Sequence, residues 1–202
     1  MAVSQTNART PKDYVRAARS LATHFNSDTV YVIGSQAVLA SWPEAPGSMF
    51  LSPEIDAYPG NAKAWEKAHP GEEASEEVNA LFGQGSEFEK TFGFYIDGVD
   101  EKTAALPPDW LKRAKTMEID NLGKTIKAIS PSIEDTIVAK LARLDERDRE
   151  FILAAHEARR LDLSLIGTLY KSTDPDPAFM KRAESFMAWL ASLNVRPAGP
   201  DE

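Results

Sequence analysis

Apolar positions recur at helical spacing after Thr10: Tyr14, Val15, Ala18, Leu21, Ala22 and Phe25 fall on one face, which predicts an amphipathic helix opening at Pro11. Thr10 serves as its N-cap, and Pro11 takes the first helical position, where a missing N–H costs nothing. Asn26-Ser27-Asp28 ends it. The period then changes to a continuous β-branched and aromatic run, Thr29-Val30-Tyr31-Val32-Ile33, the pattern of a strand buried on both faces. The run stops at Gly34-Ser35, and Gln36 to Trp42 reads as a short helix. The Gly-Ser pair therefore sits at a strand-to-helix junction, where free N–H groups and partial positive charge collect.

After a Pro/Gly-containing loop, Met49 to Tyr58 predicts a second strand, with Pro53 marking an edge or a strand start. Gly60 to Gly85 reads as helix interrupted at Pro70-Gly71, and Phe92 to Val99 as a third strand. Strands at Lys115 to Asp120 and Lys124 to Ile129 flank the turn signal Asn121-Leu122-Gly123. From Ser132 the pattern is helical, opening on a capping box in which Asp135 replaces the usual Glu, with Ile133, Ile137, Leu141 and Leu144 as the buried stripe. Further helices cover Arg147 to Leu161, Ser164 to Lys171 and Pro177 to Leu193. This is an α+β plan: a small mixed β-sheet flanked by helices, then a C-terminal helical bundle. The expected division is an α/β core at 1–130, a helical region at 131–195 packed on it, and a flexible tail at 196–202.

Composition narrows the functions. Of 202 residues 43% are hydrophobic and 27% charged, which fits a folded domain rather than a disordered chain. The absence of cysteine excludes disulfides, thiolate metal sites and a cysteine nucleophile. The start of the chain lacks a basic region followed by an apolar run, and no window approaches the roughly 18 apolar residues of a membrane span. The expectation is a cytoplasmic protein. A net charge of −8 means that any polyanion must be met by a local basic cluster. No GxGxxG or Walker A motif is present, and the three histidines are too scattered for a metal cluster.

The informative pairing is Gly34-Ser35 with Glu54-Ile55-Asp56 about twenty residues later. Strand residues i and i+2 share a face, so Glu54 and Asp56 project together while Ile55 enters the core. Two adjacent carboxylates repel unless a cation lies between them, and hard oxygen ligands suit Mg²⁺. A phosphate would fit the Gly34-Ser35 corner, where no Cβ blocks close approach. Lys140, Arg143 and Arg147 fall at i, i+3 and i+7, so they share one helix face beside the apolar stripe. They either reach a triphosphate or RNA backbone, or form a solvated salt-bridge lattice with Asp145, Glu146 and Asp148.

These segments, "YVIGSQAVLA" and "SPEIDAYP", resemble the nucleotidyltransferase superfamily that includes DNA polymerase beta, aminoglycoside nucleotidyltransferases and abortive-infection toxins. The helix "SIEDTIVAKLARLDERDREFI" is similar to an element of uncharacterised bacterial members of that fold. The resemblance implies an Mg²⁺-dependent transfer of a nucleoside monophosphate from NTP to a hydroxyl on RNA, such as tRNA, or on a protein. It implies that Gly34 and Ser35 hold the phosphates, that Glu54 and Asp56 bind Mg²⁺, and that Asp97, rather than Asp100, is the catalytic base. It also implies a toxin–antitoxin or phage-defence setting with an antitoxin-type partner. One departure is Glu54, where active members have Asp: an added methylene moves the carboxylate by about a bond length, and Mg²⁺ is strict about geometry. The alternative reading is a catalytically silent module of the same fold that binds a protein or nucleotide.

Overall fold

A computed structural model describes residues 8–159 and 161–193. The first helix, α1 (Pro11–His24), forms as its caps dictate: Asp13 Oδ2 accepts from Thr10 N at 3.0 Å, and Thr10 Oγ1 accepts from Asp13 N. Tyr14, Ala17, Ala18, Leu21 and Ala22 form its buried face.

Five strands follow, β1 (Thr29–Val32), β2 (Glu54–Pro59), β3 (Tyr95–Gly98), β4 (Lys115–Asn121) and β5 (Lys124–Ser130), in the sheet order β3-β2-β1-β5-β4. The sheet is mixed: β1 runs antiparallel to β2 and parallel to β5, β2 is parallel to β3, and β4 and β5 form a hairpin. Leu122 and Gly123 both take positive φ at its turn, +56° and +85°, the conformation that matches strand twist. One face of the sheet carries Val30, Val32, Ile55, Ala57, Ile96, Ile126 and Ala128, all buried. Against it lie α1 and α3 (Ala74–Phe82), with α2 (Ala62–Ala68) and α4 (Glu87–Phe92) beside them. Asn79 of α3 brackets the end of β3, its Oδ1 accepting from Gly98 N at 2.7 Å. A Cβ at Gly98 would stand 2.1 Å from the carbonyl oxygen of Ser75, so glycine lets helix and strand touch there.

The C-terminal helices are α5 (Ile133–Arg143), α6 (Glu146–Arg159), α7 (Leu163–Lys171) and α8 (Pro177–Ser192). They continue the same hydrophobic core, which runs from Tyr14 to Leu190. Asp135 at the start of α5 is fully buried; it accepts from Ser132 Oγ at 2.8 Å and is paired with Arg113 Nη2 at 2.7 Å. Among the described residues no helix is long and apolar enough to cross a membrane.

Three expectations need correction. β1 is not buried on both faces: Thr29 and Tyr31 are half-buried, because the outer side of the sheet is only partly covered. Residues Gly47–Phe50 form a 3-10 turn that buries Met49 and Phe50, and β2 starts only after Pro53, which interrupts backbone donation. The short helix expected after Gly34 is present, as the 3-10 helix Ser35–Ala40. Finally, α4 and Gly93, which is left-handed at φ +74°, displace the predicted start of β3 to Tyr95. The tail at 196–202 lies outside the described residues.

Candidate active site

Strand alternation decides which side chains meet on the outer face of the sheet. β2 sends Glu54, Asp56 and Tyr58 there, each half-buried, while Ile55 and Ala57 are fully buried on the other side. β3 runs parallel in a register that sets Tyr95 opposite Glu54 and Asp97 opposite Asp56. The three acids singled out in the sequence therefore share one face on two neighbouring strands.

The chain leaves β1 beside them. Ile33 N donates to the Asp56 carbonyl at 2.9 Å, and Gly34 follows at φ +68°, ψ −158°, a conformation open essentially to glycine alone. A Cβ at this position would stand 2.0 Å from Asp56 Oδ2. Two independent constraints thus demand glycine, and together they press the bare backbone corner against a carboxylate.

The electrostatics follow from this crowding. Among the described residues no hydrogen bond or ion pair reaches the side chains of Asp56 or Asp97. Burial pushes the Asp56 carboxyl up to about 7, the Glu54 and Asp97 charges reinforce the shift, and Lys140 and Arg143 partly oppose it. Burial, then Glu54, also raises the Asp97 carboxyl. Glu54 is held differently: Ser52 Oγ donates to its Oε1 and the Tyr95 hydroxyl donates to its Oε2 at 3.4 Å. Burial and the adjacent carboxylates push the Tyr95 hydroxyl up to about 12, so it stays a donor.

The basic residues face these acids from the C-terminal helices. Arg147 does not continue the face of Lys140 and Arg143, because the helix breaks between them. Leu144 buries its side chain while turning left-handed at φ +49°, and Asp145 Oδ1 accepts from Asp148 N at 2.9 Å, opening α6. Asp148, fully buried, then accepts from Lys140 Nζ at 3.1 Å and from Arg143 Nε and Nη2, both at 2.8 Å. Its burial favours the protonated form, but the hydrogen bonds and charges of Arg143 and Lys140 outweigh that and leave it below the usual carboxylate range. The Lys140 ammonium also lies 4.4 Å from the centre of the Phe151 ring. The lattice seen as one alternative in the sequence is therefore present in part: Lys140 and Arg143 pair with Asp145 and Asp148, but Asp148 is buried rather than solvated, and among the described residues no ion pair reaches Arg147 or Glu146.

A cleft of about 1180 Å³ is lined by Gly34, Ser35, Glu54, Asp56 and Asp97 on one side and by Lys140, Arg143 and Arg147 on the other. A smaller groove of about 620 Å³, lined by Leu153, Phe186 and Trp189, holds none of these residues and meets the cleft at Asp145 and Glu150. Asp100 is occupied elsewhere, accepting from Lys102 N at 2.7 Å and from Thr103 Oγ1. Trp110 packs edge-on against Tyr31 and does not line the cleft.

Sequence reasoning named Asp148 as a salt-bridge partner, and it anchors Lys140 and Arg143. It missed four residues of this region: Ser52 and Tyr95 hold Glu54, and Gln36 and Thr136 are buried cleft residues whose Oε1 and Oγ1 have no hydrogen-bond partner among the described residues. Only strand register reveals Tyr95, and nothing in the pattern marks Gln36 or Thr136.

Among the described residues no three acids or histidines are placed to hold a metal ion by themselves. Mg²⁺ takes one or two protein carboxylates and completes its shell with water and substrate phosphates. Asp56 offers such a ligand: a carboxylate without a donor, crowded by like charge, at a corner that a Cβ would fill. No curated protein and no solved structure matches the chain. One family model, described as nucleotidyltransferase of unknown function (DUF6036), matches residues 13–189, and the chain belongs to that family.

Proposed function

We propose that this protein is an Mg²⁺-dependent enzyme that moves a nucleoside monophosphate from an NTP to a hydroxyl on RNA, such as tRNA, or on a protein. The observation that carries the reading is the opposition of three crowded carboxylates and three cations across one cleft at a glycine corner. Family membership supports the nucleotidyltransferase class. On the resemblance alone, the setting we propose is a toxin–antitoxin or phage-defence system with an antitoxin-type partner.

Each residue then has a task. Glu54 and Asp56 would hold the metal, which when bound would polarise the phosphates and offset charge on the transferring group. Ser35 and the bare backbone at Gly34 seat the phosphates, since no side chain blocks approach. Asp97, raised by burial and by Glu54, takes the proton of the acceptor hydroxyl as its oxygen bonds to the α-phosphorus. The bond from that phosphorus to the bridging oxygen breaks, and pyrophosphate leaves toward Lys140, Arg143 and Arg147.

Calorimetry with NTP and Mg²⁺ tests the binding half: heat of binding should vanish in EDTA and in Asp56→Ala. Binding indifferent to both refutes the proposal. Labelled NTP with total RNA or protein tests transfer. A second reading is favoured by one observation, that both oxygens of Glu54 are engaged by Ser52 and Tyr95: the protein then binds Mg²⁺–NTP without transferring label.

A further inference from the structure

The cleft wall mixes charged and apolar groups, and two large apolar side chains on it are left exposed among the described residues, Leu51 at 50% and Phe179 at 48%. Phe179 stands in the first turn of α8. Arg182, one turn further on, lies over its ring with Cζ 5.1 Å from the centroid. Arg182 Nη2 also donates to the carbonyl of Arg143, so this stacked pair is tied to the residue that presents a cation to Asp56. Arg182 Nε is buried and has no hydrogen-bond partner among the described residues.

A triphosphate has no use for an exposed aromatic ring. A heteroaromatic base needs the combination found here: a flat apolar face to stack on, and a planar donor for an acceptor on its edge. We propose that Phe179 and Arg182 form the nucleobase subsite of the cleft, the base stacking on Phe179 and its edge accepting from Arg182, with Leu51 as the second apolar contact. The inference rests on the NTP reading of the same cleft and adds what that reading leaves open, the part of the protein that recognises the nucleoside. It also gives α8 a function beyond covering the core.

Calorimetry on the full chain, with Mg²⁺ and either an NTP or inorganic tripolyphosphate, separates the two ideas. Phe179→Ala should weaken NTP binding about tenfold and leave tripolyphosphate unchanged, while Phe179→Trp should retain NTP affinity. Arg182→Gln should alter the ranking among the four NTPs. Phe179 is half-exposed, so its variants should melt within a few degrees of wild type. Undiminished NTP binding in Phe179→Ala, or an equal loss for tripolyphosphate, overturns the subsite while the NTP reading stands. A wild-type chain that binds tripolyphosphate and NTP equally tightly also overturns it. A wild-type chain that binds neither overturns both.

Discussion

Replacing Asp56 by Asn should stabilise the metal-free protein, and the gain should depend on pH in a specific way. The carboxyl is raised from 3.8 to about 7 by burial and by the Glu54 and Asp97 charges. A folded-state value above the unfolded one means that the native state holds the proton more tightly, so stability falls as pH rises between the two values. At about 1.4 kcal/mol per unit, the ionised carboxylate costs up to about 4 kcal/mol above pH 7. Asn removes that cost without removing the side chain's volume. The difference between Asp56→Asn and wild type should therefore be below about 1 kcal/mol at pH 4, grow through pH 5 and 6, and level off above pH 7.

Urea unfolding of both proteins across this range gives the curve directly. Any constant offset from altered hydrogen bonding drops out, because only the pH-dependent part reports the carboxylate. Added Mg²⁺ should then narrow or reverse the difference at pH 8, since a ligand that binds only the native wild type stabilises it by mass action. A difference flat from pH 4 to 9 would refute the claim that charge converges at Asp56. Equal stabilisation of both proteins by Mg²⁺ would refute its part in metal binding.

Two other substitutions test the frame around the acids. Gly34→Ala forces a non-glycine residue into a conformation open essentially to glycine, about 1–3 kcal/mol, and pushes a methyl into Asp56 Oδ2; urea melts should show at least that loss, and calorimetry should show Mg²⁺–NTP binding weakened more than tenfold. Asp148→Ala strips the buried partner from Lys140 and Arg143 and should cost about 3–5 kcal/mol by urea unfolding, with NTP affinity falling alongside as the two cations lose their fixed position.

How much of this was legible beforehand depends on whether the signal was local. Period-2 alternation placed Glu54 and Asp56 on one face from three residues of sequence, and the β-branched run ending in Gly34 located the corner. Thr10 and Ser132 announced their helices because a cap is a contact between residues three apart. What failed was each inference that needed a partner from elsewhere in the chain. Spacing alone put Arg147 on the face of Lys140, but a buried Leu144 and the Asp145 cap break the helix. β1 looked buried on both faces because its residues are apolar enough for that. Nothing local says that only the face toward α1 and α3 is fully covered, leaving Tyr31 to stack on Tyr58. Tyr95 reaches Glu54 only through the parallel register of β2 and β3, which no short-range pattern encodes.

The assembled cleft carries a consequence that no single residue reveals. Its lining holds six acids, Glu54, Asp56, Asp97, Asp145, Asp148 and Glu150, against four bases, Lys140, Arg143, Arg147 and Arg182. Asp148 alone draws on both Lys140 and Arg143, so much of the positive charge is already answered within the protein. With its acids ionised, such a cleft is net negative and disfavours a bare triphosphate by repulsion. A divalent cation entering beside Asp56 changes the sign of that argument: it relieves the repulsion that raises this carboxyl and brings the charge that the phosphates require. The acidic sheet face and the basic helices are each unfavourable surroundings for half of a metal–nucleotide complex. Opposed across one cleft, they favour the complex over either component, which makes the metal a condition of nucleotide entry in the function proposed here as well as of the chemistry that follows.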